Sequence, residues 1–145
     1  MNIKNELIEM QIMNAVRKLL TENANELLGS IEYAIPLVEF GNYGGNDVVF
    51  PSLSISTCEL TEKERIIRLS AFTLTISFNV PDNPDSELHS YTYAWAVCRA
   101  FEGNATLEGI ADRAVVTAKK FNAPKNPNCG QSWEVVLTVR ITNEQ

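Results

Sequence analysis

The sequence predicts one α+β domain over residues 1–145, with a mostly antiparallel sheet of about four to five strands and two main helices packed on one face. Three observations predict this fold. The chain has 145 residues, the usual size of a single domain. Two segments have helical apolar spacing, and others alternate as strands do. The element order is α-β-β-β-α-β-β, with too few helices to alternate as repeated βαβ units.

The first helix is predicted from Asn2 to Leu28 because its apolar residues recur at helical spacing. These residues are Ile8, Ile12, Val16, Leu19, Leu20 and Leu27. The spacing places them on one stripe of a helix. Gly29 follows, as is typical of a helix C-terminus.

The middle of the chain is predicted to be extended, with two loops. Ile31–Phe40 suits a sheet edge or a connection, since Pro36 cannot donate to a strand ladder. Gly41–Asp47 is rich in glycine and asparagine and predicts a loop. Val48–Thr57 alternates as a strand, and the charged stretch Glu59–Glu64 predicts a turn or loop.

A long strand is predicted from Arg65 to Val80. Its apolar positions change parity near Ser70 and Ala71, which predicts a bulge or a strong bend there. The second half supplies the expected core, because burying each large apolar side chain contributes roughly 1.5–3 kcal/mol. The expected core residues are Phe72, Leu74, Ile76 and Phe78.

A second helix is predicted to follow, with Asn83 as its cap, Pro84 in its first turn, and Gly103 at its end. We expect an apolar stripe on this helix to be buried. The stripe consists of Leu88, Tyr91, Trp95 and Cys98. A hairpin closes the chain. It comprises a strand over Arg113–Phe121, a loop over Asn122–Gln131 and a strand over Trp133–Thr142, with Trp133 in the core.

The charge balance argues against specific nucleic-acid binding. The net charge is -6, whereas binding to phosphates depends largely on lysine and arginine. The basic clusters are small: Arg65 with Arg68, and Lys119 and Lys120 with Lys125.

Cysteine usage and hydropathy indicate a reducing compartment and no membrane. Cys58, Cys98 and Cys129 are odd in number and widely spaced, so we expect neither a disulfide framework nor a metal site. Met1–Met10 carries Glu6 and Glu9 and does not resemble a secretory signal. No apolar run approaches the roughly 18 residues that predict a membrane span.

No constellation of residues predicts catalysis or a cofactor, so we expect a protein that is not an enzyme. His89 lies in the first turn of the second helix and is expected to be solvated. Asp82–Asp85 resembles a calcium loop in its acidity, but Pro84 and the lack of a following glycine favour helix capping. Gly44 and Gly45 lack the residues that complete a phosphate-binding loop.

The pattern over most of residues 1–142 resembles the tail terminator, or tail completion, proteins of long-tailed bacteriophages and prophages. The features that carry this resemblance are the leading amphipathic helix, Phe50–Ser56, the Thr/Ser-alternating strand ending at Val80–Pro81, the helix with Tyr91, Trp95 and Cys98, and the closing strand Trp133–Arg140.

The resemblance implies a structural protein without catalytic residues, cofactor or metal. Such proteins form a ring, typically of six subunits, that caps the tail tube and joins it to the head–tail connector protein. The expected partners are therefore copies of itself, the tail tube protein and the connector. The expected location is the virion tail, assembled in the cytoplasm of the host bacterium. The exposed loops expected to make contacts are Gly41–Asp47, Glu59–Glu64 and Asn122–Gln131.

Two other classes of function stay open at this stage. A small-molecule-binding module would need a pocket between the helices and the sheet. An enzyme would need Cys98 or His89 to converge with carboxylates in the folded chain.

Overall fold

The structure is a computed structural model, and it describes residues 7–31, 37–39, 53–66, 69–81, 85–123 and 132–144. Its elements follow the order α-β-β-β-α-β-β, with the helices packed on one face of a five-stranded sheet. The predicted α+β class and the mostly antiparallel sheet are confirmed.

The first helix consists of three consecutive segments. They are α1 (Ile8–Lys18), a π-helical segment (Leu19–Ala24) and α2 (Asn25–Leu28). Leu7 is the N-cap, with an extended backbone at φ −72° and ψ 120°, so α1 begins at Ile8. The predicted first residue, Asn2, lies outside the described residues. It ends before Gly29, as predicted.

The π-helical segment keeps one face of the first helix on the core. The buried residues recur at every fourth position: Ile12, Val16, Leu20, Ala24 and Leu28. In a pure α-helix, each such step turns about 40° beyond a full circle, so the series would wind away from the core. The wider π turn absorbs this excess. The structure consequently buries Leu28, whereas the predicted Leu27 is only half-buried.

The sheet has five strands in the part of the chain that the structure describes. They are β1 (Leu37–Glu39), β2 (Leu53–Ile66), β3 (Leu69–Pro81), β4 (Arg113–Asn122) and β5 (Ser132–Glu144). Their spatial order is β1-β2-β3-β5-β4, with β1 parallel to β2 and the other neighbours antiparallel. The short β1 and the longer β4 are therefore the two edges.

The two central strands form the floor of the core. Their directly opposed residues are Phe72 and Ile141, Leu74 and Val139, Ile76 and Leu137, and Phe78 and Val135. All these side chains are buried under the helices. The predicted core residues of β3, and the predicted alternation of the closing strand, are confirmed.

The first hairpin differs from the prediction. β2 continues to Ile66, so Glu59–Glu64 belongs to a strand and is not the predicted turn or loop. Ile66 pairs with Leu69, so the chain reverses direction inside the segment predicted as one strand over Arg65–Val80. Charged residues are compatible with a strand wherever one face meets solvent, and Glu62 is exposed.

The change in apolar parity that predicted a bulge near Ser70 and Ala71 lies within β3, because Leu69 and Ala71 belong to the same strand as Phe72. These residues lie at the start of a new strand, and both continue the ladder with β5 without a shift. The register shift at this level is on the neighbouring strand, between Glu62 and Glu64 of β2.

The second helix, α3, spans Ser86–Gly103 and ends at the predicted glycine. Its N-cap position is held by Asp85, whose side chain makes no capping hydrogen bond. The residues predicted to cap and begin this helix, Asn83 and Pro84, lie outside the described residues.

A tight turn with left-handed backbone connects α3 to β4. Leu107, Glu108 and Gly109 have φ values of 51°, 60° and 90°. This conformation is costly for residues with a Cβ, and the surrounding contacts hold it in place. The Leu107 side chain is fully buried, and the Glu108 backbone N–H donates to Oδ1 of Asn104 at 2.9 Å.

The predicted closing hairpin is confirmed. Its strands are β4 and β5, and Asn122 is the last residue of β4 rather than the first of the loop. Trp133 is half-buried and packs against the core.

Candidate functional site

α3 has two faces with apolar spacing, and the structure buries the one that the prediction did not choose. Leu88, Tyr91 and Trp95 are 54%, 46% and 45% exposed, so their predicted burial is wrong. Cys98, the fourth member of that stripe, is half-buried. The buried residues are Ser86, Ser90, Tyr93, Ala94, Ala96, Val97, Ala100 and Phe101.

The buried face of α3 consists largely of serine and alanine. Small side chains let a helix approach a sheet closely, and the buried Ser90 hydroxyl is satisfied by donating to the Ser86 carbonyl at 2.8 Å. The larger residues of the other face consequently lie outward. A signal for this arrangement existed in the sequence, because Tyr93, Val97 and Phe101 form a second stripe at four-residue spacing.

The exposed stripe continues onto the edge strand β4. The rings of Tyr91 and Phe121 meet edge to face, with centroids 4.9 Å apart. The Tyr91 hydroxyl donates to Oε1 of Glu87 at 2.9 Å. This hydrogen bond to a carboxylate raises the pKa of Tyr91, since it stabilises the protonated phenol.

A groove of ≈ 440 Å³ lies between α3 and β4, beside the same stripe. Cys98 and Phe101 come from the helix, and Val116 and Lys119 from the strand. Lys119 pairs with the buried Leu137, which places it on the helix side of the sheet. Glu102 and Arg113 also line the groove, so charged side chains of both signs lie among its apolar residues.

The thiol of Cys98 borders this groove, and its surroundings disfavour the ionised thiolate form. Partial burial raises the pKa of Cys98, while the nearby positive charge of Lys119 lowers it and the negative charge of Glu102 raises it. The net direction is upward. A raised pKa is the opposite of what a nucleophilic cysteine requires.

The edge strand itself is basic. β4 carries Arg113, Lys119 and Lys120 and has no acidic residue, so its formal charge is +3. All three side chains are exposed. The rest of the chain then has a charge of −9, because the whole chain has −6. We call the "α3–β4 surface" the exposed set Leu88, Tyr91 and Trp95 of α3 with Lys119 and the half-buried Phe121 of β4. Lys120 lies at the same sheet edge but on the opposite face of the strand.

A smaller hollow of ≈ 280 Å³ lies on the opposite face of the sheet. It is lined by Arg113, Val115, Thr117, Arg140 and Thr142. Its two arginines lie on neighbouring strands, Arg113 on β4 and Arg140 on β5. Val115 of β4 pairs directly with Arg140. Of the described residues, Arg113 and Val115 line both this hollow and the groove beside α3.

The residues considered for catalysis are not brought together. His89 is half-buried in the first turn of α3, and its backbone N–H donates to the Asp85 carbonyl at 2.9 Å. His89 and Cys98 lie about 14 Å apart along the axis of the same helix, given its rise of about 1.5 Å per residue. This separation is too large for a cysteine–histidine pair.

Other predicted features fall outside the described residues. These are Gly41–Asp47 with Gly44 and Gly45, Asp82–Pro84, Cys129 and positions 124–131 of the last loop. Among the residues that are described, no group of three or more His, Cys, Asp or Glu could hold a metal ion. None of the described helices has the length and apolar character required to cross a membrane.

The structure changes the set of candidate contact segments. Glu59–Glu64, predicted as a contact loop, is a strand paired with β3. Asn122 is paired with Glu134 in β5, and Ala123 is exposed where β4 ends. Among the described residues, the most exposed large apolar side chains instead lie on α3, on the stripe that the prediction assigned to the core.

No protein-family model and no curated protein matches the sequence.

Proposed function

We propose that this protein is a structural tail protein of a long-tailed phage or prophage, which forms a ring, caps the tail tube and joins it to the head–tail connector. The observation that supports this proposal best is the α3–β4 surface. It combines exposed aromatic residues with a sheet edge, and it is what an assembling subunit requires.

Exposed tryptophan and tyrosine side chains side by side are typical of protein interfaces. Trp95 and Tyr91 lie one turn apart on α3, about half exposed. These two residue types are enriched among those that contribute most to binding, because they bury a large area at little entropic cost. Isolated surface hydrophobics need no explanation, but a contiguous patch indicates a contact surface.

The edge strand adds a second property of an assembly surface. β4 is an edge of the sheet, and most of its side chains are exposed. Natural proteins protect such edges or use them for pairing with other chains. A closed ring of identical subunits needs two different complementary surfaces on each copy, and the α3–β4 surface is a candidate for one of them.

The proposal is tested by measuring assembly. Sedimentation of the purified chain over a wide concentration range should show a mass several-fold above 16.2 kDa, and negative-stain microscopy should show rings. Under this proposal, addition of the tail tube protein and the connector of the same phage should shift the equilibrium further towards rings. A chain that stays monomeric alone and with both partners would contradict the proposal.

A small-molecule-binding module is the second candidate, and the groove beside α3 is the observation that favours it. Its volume of ≈ 440 Å³ falls within the range of ligand sites, roughly 300–1,000 Å³. A thermal-shift screen with small anionic metabolites would detect binding through Lys119 or Arg113. Stabilisation that disappears in Lys119→Met would support this function over assembly.

A further inference from the structure

We infer that the α3–β4 surface of one copy binds the acidic outer face of the first helix of a second copy; this inference rests on the ring assembly proposed above. Each subunit would then carry a basic, aromatic surface and a separate acidic surface. The interface would join unlike surfaces, as a closed ring requires.

The basic half of this interface is concentrated on one strand. β4 carries three positive charges in a chain whose other residues sum to −9. Lys119 and Lys120 are consecutive and exposed, and they point to opposite faces of the edge strand. Lys119 therefore lies on the same side of the sheet as the aromatic rings of α3, and Lys120 places a cation on the other side of this edge.

The acidic half lies on the outer side of the first helix. Glu22 and Glu26 are both exposed and lie about one turn apart, facing away from the buried Leu20, Ala24 and Leu28. No described residue forms an ion pair with either of them. The nearest cation along this face, Lys18, is engaged with Glu108 of the turn after α3, with 3.3 Å between Nζ and Oε1.

The two surfaces are distinct parts of the subunit. The π-helical segment contacts β1 and α3, whereas α3 contacts β4 and β5. In the helical layer, the first helix therefore lies over the β1 side of the sheet and α3 over the β4 side. Glu22 and Glu26 cannot reach Lys119 and Lys120 of their own chain across α3, so a second copy is needed to bring them together.

A second copy fits the basic strand better than nucleic acid does. The aromatic stripe is flanked on α3 itself by Glu87 and Glu102, both exposed. These carboxylates would repel phosphates at the point where the rings could stack on bases. A protein partner avoids this repulsion. Its carboxylates are separate side chains, which can lie beside the lysines of β4 and away from the glutamates of α3 at the rim of an interface.

The test is a charge exchange between the two surfaces. Lys119→Glu/Lys120→Glu makes both surfaces acidic, and Glu22→Lys/Glu26→Lys makes both basic. Each variant alone should assemble more than about tenfold more weakly than the wild type, because like charges then face each other. All four positions are exposed, so unchanged circular dichroism and thermal unfolding should show that each variant folds.

Mixing the two variants in equal amounts should restore assembly, because each interface then again joins a basic surface to an acidic one. The restored rings would contain the variants in strict alternation, which native mass spectrometry would detect. Lys119→Gln/Lys120→Gln, which removes charge without reversing it, should weaken assembly less than the glutamate pair.

The outcomes separate this inference from the proposed function. If the wild type forms rings and the charge reversals leave them intact, the interface is wrong while the ring stands. Loss of assembly in each variant without recovery on mixing overturns the pairing with Glu22 and Glu26. Lysine variants that lose duplex DNA binding but still assemble would assign the basic strand to nucleic acid. A wild type that never assembles overturns both proposals.

Discussion

Tyr91 on α3 and Phe121 on β4 meet edge to face, with an angle of 86° between their ring planes. The contact joins the outer side of a helix to the end of an edge strand. It also places two aromatic rings at one margin of the α3–β4 surface. The same pair therefore holds the edge strand to the helix and shapes the surface on which the proposed function depends.

The first prediction concerns the strength of this contact. A double-mutant cycle with Tyr91→Ala and Phe121→Ala should give a coupling energy of about 0.5–1.5 kcal/mol, the range of aromatic pairs. Urea unfolding of the four proteins measures it. Tyr91→Phe is the control, since it keeps the ring and removes only the hydrogen bond to Glu87. Coupling close to zero would mean that the two rings stabilise the fold independently.

The sequence was sufficient for the fold because strand alternation is a local signal. Phe72 to Phe78 and Val135 to Ile141 alternate along their strands, and each set lies on the core face. The change of direction between β2 and β3 was missed because neither glycine nor proline lies between Ile66 and Leu69 in the sequence. Glu59–Glu64 was wrongly predicted as a turn or loop because the segment is charged. Charged residues also occur in a strand when one face of the strand meets solvent.

The candidate surface was harder to predict because it depends on which of two stripes of α3 is buried. Residue size favoured Leu88, Tyr91 and Trp95 as core. Close packing of a helix on a sheet instead favoured the face that carries Ser86, Ser90 and three buried alanines. Helical spacing identifies both stripes equally, and only the assembled layers decide which one faces inward.

A second prediction concerns Cys98. Because its pKa is raised, its alkylation at neutral pH should be slower than that of an exposed thiol and should accelerate as pH rises. Lys119→Met should slow the reaction further, since it removes the charge that lowers the pKa, and Glu102→Gln should speed it. Peptide-resolved mass spectrometry after timed alkylation gives the rate at this one cysteine.

Lys120→Met is the matched control for that experiment. Lys120 is adjacent in sequence but pairs with Val136, on the other face of the strand, so the rate at Cys98 should stay unchanged. The raised pKa of Cys98 also makes the free energy of unfolding depend on pH. The contribution of this thiol to stability is complete below the ordinary thiol pKa, and it is lost as pH rises through the raised pKa of the folded state. Equal rates in both lysine variants would contradict the assigned electrostatic cause.

The third prediction compares two glycines in similar open surroundings. A Cβ at Gly109 or at Gly103 would meet no atom within 4 Å, but only Gly109 has a left-handed φ, of 90°. Gly109→Ala should lower the free energy of unfolding by about 1 kcal/mol or more, whereas Gly103→Ala should raise it by about 0.4–1 kcal/mol. Equilibrium unfolding in urea distinguishes the two, and destabilisation of equal size would show that backbone conformation is not the cause.

The last prediction uses Trp95 to report on the interface. It is 45% exposed in the single chain, and the inferred contact with a second copy would bury it. In Trp133→Phe, which leaves Trp95 as the only tryptophan, fluorescence emission should shift to shorter wavelength as concentration rises and rings form. The shift should be absent when Lys119→Glu/Lys120→Glu is added, and it should return on mixing with Glu22→Lys/Glu26→Lys. Trp95→Phe, which keeps Trp133, should show no comparable shift. Rings that form without changing the emission of Trp95 would place the subunit contact elsewhere, because a tryptophan transferred from water to a protein interface loses its polar surroundings.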